Sequence, residues 1–191
     1  MVTAIDTNTA LVIIDLQKGI VQLPLAKPIA GVIDNTVKLV DAFHKAGLPI
    51  VIVNVNSGVA AWNKCRKDAK QALRPPGSDD WSEVIPEIKS RATDNDIFIT
   101  KHTWGAFFET ALQEELQKRN ITGIVLAGVA TSIGVEGTAR HASERAYNIT
   151  FAKDAMTDMN ADAHERSLQY IFPRIGEVDD TDKIIEMLEK R

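Results

Sequence analysis

Residues 123–140 read GIVLAGVATSIGVEGTAR, and this stretch decides the fold. Its first part, Ile124-Val125-Leu126-Ala127-Gly128-Val129, is short and nearly all apolar. Such a run predicts a strand buried on both faces of a parallel sheet. From residue 134 to 147 the composition suits a helix, and the junction Ala130-Thr131-Ser132-Ile133 is small and polar. A buried strand feeding a helix through a tight turn aims backbone N–H groups and the positive helix end at one point above the carboxyl edge of the sheet. That point is ready to hold an oxyanion or a carboxylate.

Working outward, residues 10–16 (ALVIIDL) predict a first strand ending on Asp15. Residues 29–46 carry apolar side chains at 32, 33, 37, 39, 40 and 43, the spacing of an amphipathic helix, and Gly47 closes it. Strands are expected over 48–55, over 96–100 running into Lys101, over 148–152, and as a short piece over 174–178. Helices are expected over 107–119, 162–171 and 181–190, the last with Ile184, Ile185 and Leu188 inward. Apolar strands alternating with helices define a doubly wound α/β/α sandwich, and 191 residues suit one such domain. Residues 57–95 follow no period, apart from one short helix expected near 64–73. They hold Trp62, Cys65, Pro75-Pro76-Gly77, Trp81 and Pro86. A connection of that length in a compact domain is a functional excursion or an oligomer contact.

Composition narrows the function. The net charge is −4 with acidic and basic residues interspersed, so no basic patch marks a nucleic-acid surface. No apolar run approaches the ~20 residues needed to cross a bilayer. The residues after Met1 show neither a basic nor a long apolar segment of a secretory signal, and one cysteine permits no internal disulfide. The expectation is a cytoplasmic protein that works on a small molecule, without nucleic acid or membrane. The chain after the first strand reads Asp15-Leu16-Gln17-Lys18-Gly19, not the G-x-G-x-x-G fingerprint, so no nicotinamide cofactor is expected, nor any other.

Three strands end in residues with chemical potential: Asp15, Lys101 and the turn from Ala130 to Gly134. In an open parallel sheet the carboxyl ends share one edge, so the three converge whatever their separation in sequence. Gln17, Asn56, Trp104, Ala130 and Thr131 lie at the same strand ends and are the expected substrate contacts.

The run Gly128-Val129-Ala130-Thr131-Ser132-Ile133-Gly134-Val135 resembles the signature G-V-x-T-x-x-C-V of the isochorismatase-like cysteine hydrolases, with Gly134 at the nucleophile position. Ile14-Asp15-Leu16-Gln17 and Thr100-Lys101-His102-Thr103-Trp104-Gly105-Ala106-Phe107 match the motifs that hold that family's catalytic aspartate and lysine. Asp154-Ala155 and His164 fall where its D-A…H pattern follows. The resemblance covers roughly residues 10–175. It implies a six-stranded parallel sheet in the order 3-2-1-4-5-6, with Asp15 and Gly134 on adjacent strands. Lys101 then starts two strand spacings from Asp15, roughly 9–10 Å, which its side chain must bridge. It also implies self-association as a dimer, tetramer or larger ring.

Departures from the family pattern redirect the chemistry. Glycine at 134 closes the thiol acyl-enzyme route of the family's amidases. Where the nicotinamidase branch carries an Asp-x-His metal motif, this chain reads Asn54-Val55-Asn56, so no metal is expected. The resemblance leaves vinyl-ether hydrolysis, which isochorismatases perform without a nucleophile: an aspartic acid protonates the enol-ether carbon, water adds, and the hemiketal collapses to pyruvate. Asp15 is then the acid if burial raises its pKa, or a base that activates water if Lys101 holds it down. Two rivals stand beside this reading. One is a serine hydrolase with Ser132 in a relaxed nucleophile elbow and Asp154 and His164 as its triad. The other is a catalytically silent binding or scaffold subunit. Cys65, far from every strand end, is expected to be an ordinary thiol.

Overall fold

The computed structural model describes residues 1–56 and 80–191. Cys65, Trp62 and the helix expected over 64–73 lie outside the described residues. Six parallel strands form one sheet in the order β3-β2-β1-β4-β5-β6. They are β1 (Thr9–Ile14), β2 (Ile50–Val55), β3 (Ile97–Lys101), β4 (Gly123–Val129), β5 (Asn148–Thr157) and β6 (Glu177–Asp179). The chain order reverses between β1 and β4, which places the switch-point crevice at their carboxyl ends.

The helices are α1 (Lys18–Val21), α2 (Ile29–Lys45), α3 (Pro86–Lys89), α4 (Leu112–Lys118), α5 (Glu136–Ser143), α6 (Ala161–Arg166), α7 (Phe172–Ile175) and α8 (Thr181–Glu189). Strand alternation divides the core into two layers. Leu11, Ile13, Ile50, Ile52, Val125 and Ala127 pack against α2 and α8. Ala10, Val12, Ile14, Val51, Val53, Ile97 and Ile99 pack against α4, α5 and α7. On α2 the buried residues Val32, Thr36, Leu39, Val40 and Phe43 form one helical face. The helix ends at Gly47, whose φ of 69° lets Leu48 N–H reach the Phe43 carbonyl. Each fully buried aliphatic or aromatic side chain in these layers contributes about 1.5–3 kcal/mol of transfer free energy.

Several boundaries differ from the sequence expectation, each for a local reason. The helix expected from residue 107 begins at Leu112. Before it, the Thr110 hydroxyl donates to the Ala106 carbonyl and accepts from Leu112 N–H, and Glu109 has a φ of 53°. These local side-chain bonds compete with helix formation. The turn after β4 is a wide π-turn, Thr131–Val135, before α5 begins. β5 runs on to Thr157 because its register with β4 shifts between Leu126 and Gly128. β6 starts only at Glu177, since Pro173 sits in the first turn of α7 and the chain stays helical through Ile175. The described part of the stretch expected to be irregular, residues 80–95, contains α3 and an antiparallel bridge from Val84 to Gln17. Trp81 is half-buried there, its carbonyl accepting Gly19 N–H.

Candidate active site

β1 brings Asp15 to the carboxyl edge, and β3 brings Lys101. On β3 the inward positions are Ile97, Ile99 and Lys101, so strand alternation alone buries the lysine. Its arm crosses beneath β2, and Nζ donates to Asp15 Oδ2 at 2.7 Å and to the Thr103 carbonyl at 3.1 Å. Lys101 is 2 % exposed and Asp15 5 %. Asp15 Oδ1 is buried with no hydrogen-bond partner among the described residues. Burial raises the Asp15 pKa to about 6 from its ordinary 3.8, outweighing the opposing pull of the Lys101 charge.

Gly134 closes the same edge. A Cβ built there would lie 3.2 Å from Asp15 Oδ2 and 2.9 Å from Ile14 Cγ2. Gly128, the last residue but one of β4, has a φ of 115°, and a Cβ on it would fall 2.0 Å from the Ile14 carbonyl oxygen. The Val129–Ala130 peptide is cis. A cavity of about 310 Å³ opens over these groups. Asp15, Lys101, His102 and Thr103 give it a polar side next to Gly134, and Ile20, Val55, Val129, Ile133, Met159 and Trp104 its apolar walls. Trp104 and Met159, 66 % and 42 % exposed, stand at the rim. A second cavity, about 320 Å³, lies at the opposite edge of the sheet beside residues 3–6. Its carboxylates are already bonded, Asp6 to Thr122 and Asn148 and Glu177 to Thr3, so the first is the candidate active site.

Of the expected site residues, Asp15, Lys101, Gly134, Ala130 and Trp104 all line this cavity. Gln17, Asn56 and Thr131 do not. Gln17 is fully buried with its amide on the backbone of Val55 and Trp81. Asn56 donates its N–H to the Lys101 carbonyl, and its own carbonyl meets the His102 ring. Thr131 is buried behind the turn, where its hydroxyl donates to the Thr157 carbonyl at 3.0 Å. That hydroxyl has one proton, so its 2.8 Å contact with His164 Nδ1 must be donated by the imidazole. The imidazole therefore carries a proton on Nδ1, and burial pushes its pKa down, which favours the neutral ring. It holds the turn from behind. The sequence does not mark Ile20, Val55, His102, Thr103, Val129, Ile133 or Met159 as cavity residues, and the aliphatic or small character of most of them carries no signal that distinguishes wall from core.

The serine-elbow constellation does not assemble. Ser132 Oγ donates to Asp158 Oδ2 at 2.8 Å, and the same oxygen accepts Ser132 N–H. His164 is held by Thr131, while Asp154 binds Asn35 and the start of α8 at Thr181. At the position of the family's metal motif, Asn54 donates to the Ser82 carbonyl and accepts from Thr100. Its amide is already committed within the fold, a donor set that does not fit a cation.

A buried carboxyl–ammonium pair thus sits beneath an apolar cavity at the switch-point crevice of an α/β/α sandwich. The isochorismatase domain matches residues 9–183, and the chain belongs to the isochorismatase family of hydrolases. It is 43% identical over 184 residues to the uncharacterized isochorismatase family protein YwoC of Bacillus subtilis, covering 95% of each chain. It is 30% identical over 182 residues to nicotinamidase 3 of Arabidopsis thaliana, covering 92% of this chain and 86% of that one. The solved structure of an isochorismatase family protein from Burkholderia thailandensis superposes with a TM-score of 0.87 at 36% identity, covering 97% of this chain and 98% of that one. No helix among the described residues is long and apolar enough to cross a membrane.

Proposed function

We propose that this hydrolase acts on a small carbonyl- or carboxylate-bearing molecule by Asp15/Lys101 acid–base chemistry without a covalent nucleophile, vinyl-ether hydrolysis being the reaction the site suits best. One observation carries the reading: Asp15 lines the cavity with Oδ1 buried and partnerless and Oδ2 held by Lys101, beside a residue 134 that has no side chain. A carboxyl with a pKa of about 6 is matched to proton donation near neutrality. The Asp15 carboxyl donates its proton to the terminal carbon of the enol ether. The resulting oxocarbenium carbon takes up water, whose proton returns to the Asp15 carboxylate, and the hemiketal separates into an alcohol and a ketone. During the interval in which Asp15 is ionised, the Lys101 ammonium compensates its charge. The absence of a side chain at 134 leaves the floor beside Asp15 open to substrate or water.

A panel of carboxylated vinyl ethers, with amides and esters alongside, tests this. Release of an α-keto acid from a vinyl ether, lost in Asp15→Asn, is the expected outcome. Turnover confined to amides or esters, with a covalent adduct on the protein, is the outcome that defeats it. Self-association belongs to the same proposal: Trp104 and Met159 leave apolar surface at the cavity rim, and Phe98 is exposed on the edge strand β3. A clean 21 kDa monomer in sedimentation at micromolar concentration excludes it.

A further inference from the structure

The ladder between β1 and β2 ends in an unusual way. Leu11 N–H donates to the Pro49 carbonyl and Asp15 N–H to the Val53 carbonyl, rungs of a parallel register in which Ile14 faces Val53. In such a ladder the next rungs join Val55 N–H to the Asp15 carbonyl and Gln17 N–H to the Val55 carbonyl. Neither forms. Asp15 turns into the left-handed region at a φ of 52°, and its carbonyl accepts Gln17 N–H at 2.8 Å. The side chain of Gln17 meets both Val55 groups instead. Its Oε1 accepts Val55 N–H at 2.8 Å, and its Nε2 donates to the Val55 carbonyl at 3.1 Å and to the Trp81 carbonyl at 3.2 Å.

This substitution decides where the Asp15 carboxyl points. Ile14 packs with the α4/α5 layer, so strict alternation would send the next side chain toward α2 and α8. Lys101 continues the inward row of Ile97 and Ile99, which belongs to the α4/α5 layer. A straight β1 would therefore aim Asp15 away from its partner. We propose that Gln17 is a positioning residue whose side-chain amide stands in for the Asp15 and Gln17 backbone at the last rungs of β2, freeing Asp15 to leave the ladder and turn its carboxyl to Lys101 and the cavity. Its importance for turnover rests on the reading of Asp15 as the working acid; its geometry does not.

In the wild-type protein, labelled with ¹⁵N and ¹³C, a coupling across the hydrogen bond from Val55 N to the Gln17 side-chain carbonyl carbon is expected. A coupling to the Asp15 backbone carbonyl carbon overturns the proposal. In Gln17→Met the Val55 amide loses about tenfold or more of its hydrogen-exchange protection. The Asp15 carboxyl, followed by ¹³C and assigned through Asp15→Asn, then titrates nearer its ordinary value, and kcat falls with KM little changed. Gln17→Glu, which keeps the acceptor and loses the donor, falls between the two. Unchanged Val55 protection and an unchanged Asp15 midpoint in a folded Gln17→Met protein refute the role; if that variant does not fold, the wild-type coupling and Gln17→Glu decide. Full activity in Asp15→Asn defeats the hydrolytic reading and leaves these spectroscopic outcomes standing.

Discussion

Lys101 Nζ rests 2.7 Å from Asp15 Oδ2 although β2 separates the strands that carry the two residues. The pair is almost wholly buried, and water does not screen it. Burial is the larger influence on Asp15 and the Lys101 charge the smaller, so the carboxyl keeps its proton to a pH at which an ordinary aspartate has lost it. On the proposed mechanism, proton donor and compensating charge are thereby present together.

The first prediction concerns the pH profile. With Asp15 acting as an acid of pKa about 6, kcat/KM should be level below pH 6 and fall about tenfold per unit above it. A profile that rises through pH 6 assigns Asp15 as the base. Asp15→Asn should lose roughly 10²–10⁴-fold in turnover.

Stability carries the same signature with a defined sign. The folded pKa of Asp15 lies above its unfolded value, so the native state binds the extra proton between pH 4 and 6. The stabilisation from this group is complete below about pH 4 and is lost as pH rises through 6, about 3 kcal/mol in all. Denaturant unfolding of wild type and Asp15→Asn across pH 4–7 should give a difference that shifts by that amount in favour of the variant. A pH-independent difference contradicts the raised pKa.

Lys101→Met removes the influence that lowers the Asp15 pKa, so the inflection should move above 6. If lysine only holds and compensates the aspartate, this variant costs less turnover than Asp15→Asn. A carbon-13 titration of Asp15 reads the shift directly, and a downward movement contradicts the assignment.

Gly134→Ala should destabilise the protein by about 1–3 kcal/mol through overpacking. The new methyl would lie 2.9 Å from Ile14 Cγ2 and reach Asp15 Oδ2. Thermal melting measures the loss, and an unchanged melting temperature shows that Ile14 yields freely.

Ser132→Ala removes one of two bonds to Asp158, a change of about 1 kcal/mol. Turnover should be nearly unaffected and a fluorophosphonate should leave the wild-type protein unlabelled. Stoichiometric labelling at Ser132 reverses this conclusion.

Much of this site is legible in the sequence because strand ends are. The apolar runs locate β1 to β4, and the residues just beyond them, Asp15 and Lys101, meet because a parallel sheet gathers its carboxyl ends. What alternation and motif do not reveal is the direction of a side chain after its strand has ended. Gln17 stands two residues beyond Asp15, yet the left-handed turn between them sends its amide to Val55 and away from the cavity. Thr131 belongs to the signature run, but the π-turn rotates it behind the site onto Thr157 and His164. Both outcomes depend on pairing with residues distant in the chain, which no local pattern records.

Gly128 and Gly134 divide two kinds of change between them. Any side chain at 128 would strike the Ile14 carbonyl and part β1 from β4 at the crevice, whatever the reaction. A side chain at 134 comes nearest the Ile14 methyl and the Asp15 carboxylate, with the Val129 carbonyl in ordinary contact at 3.5 Å, and no strand pairing runs through it. A library randomised at 128 should return glycine alone among folded clones, whereas one at 134 should return several small residues. The pairing of β1 with β4 and the shape of the cavity floor are thus encoded at separate positions six residues apart, and a lineage built on this sheet can reshape that floor in one codon while the crevice stays intact.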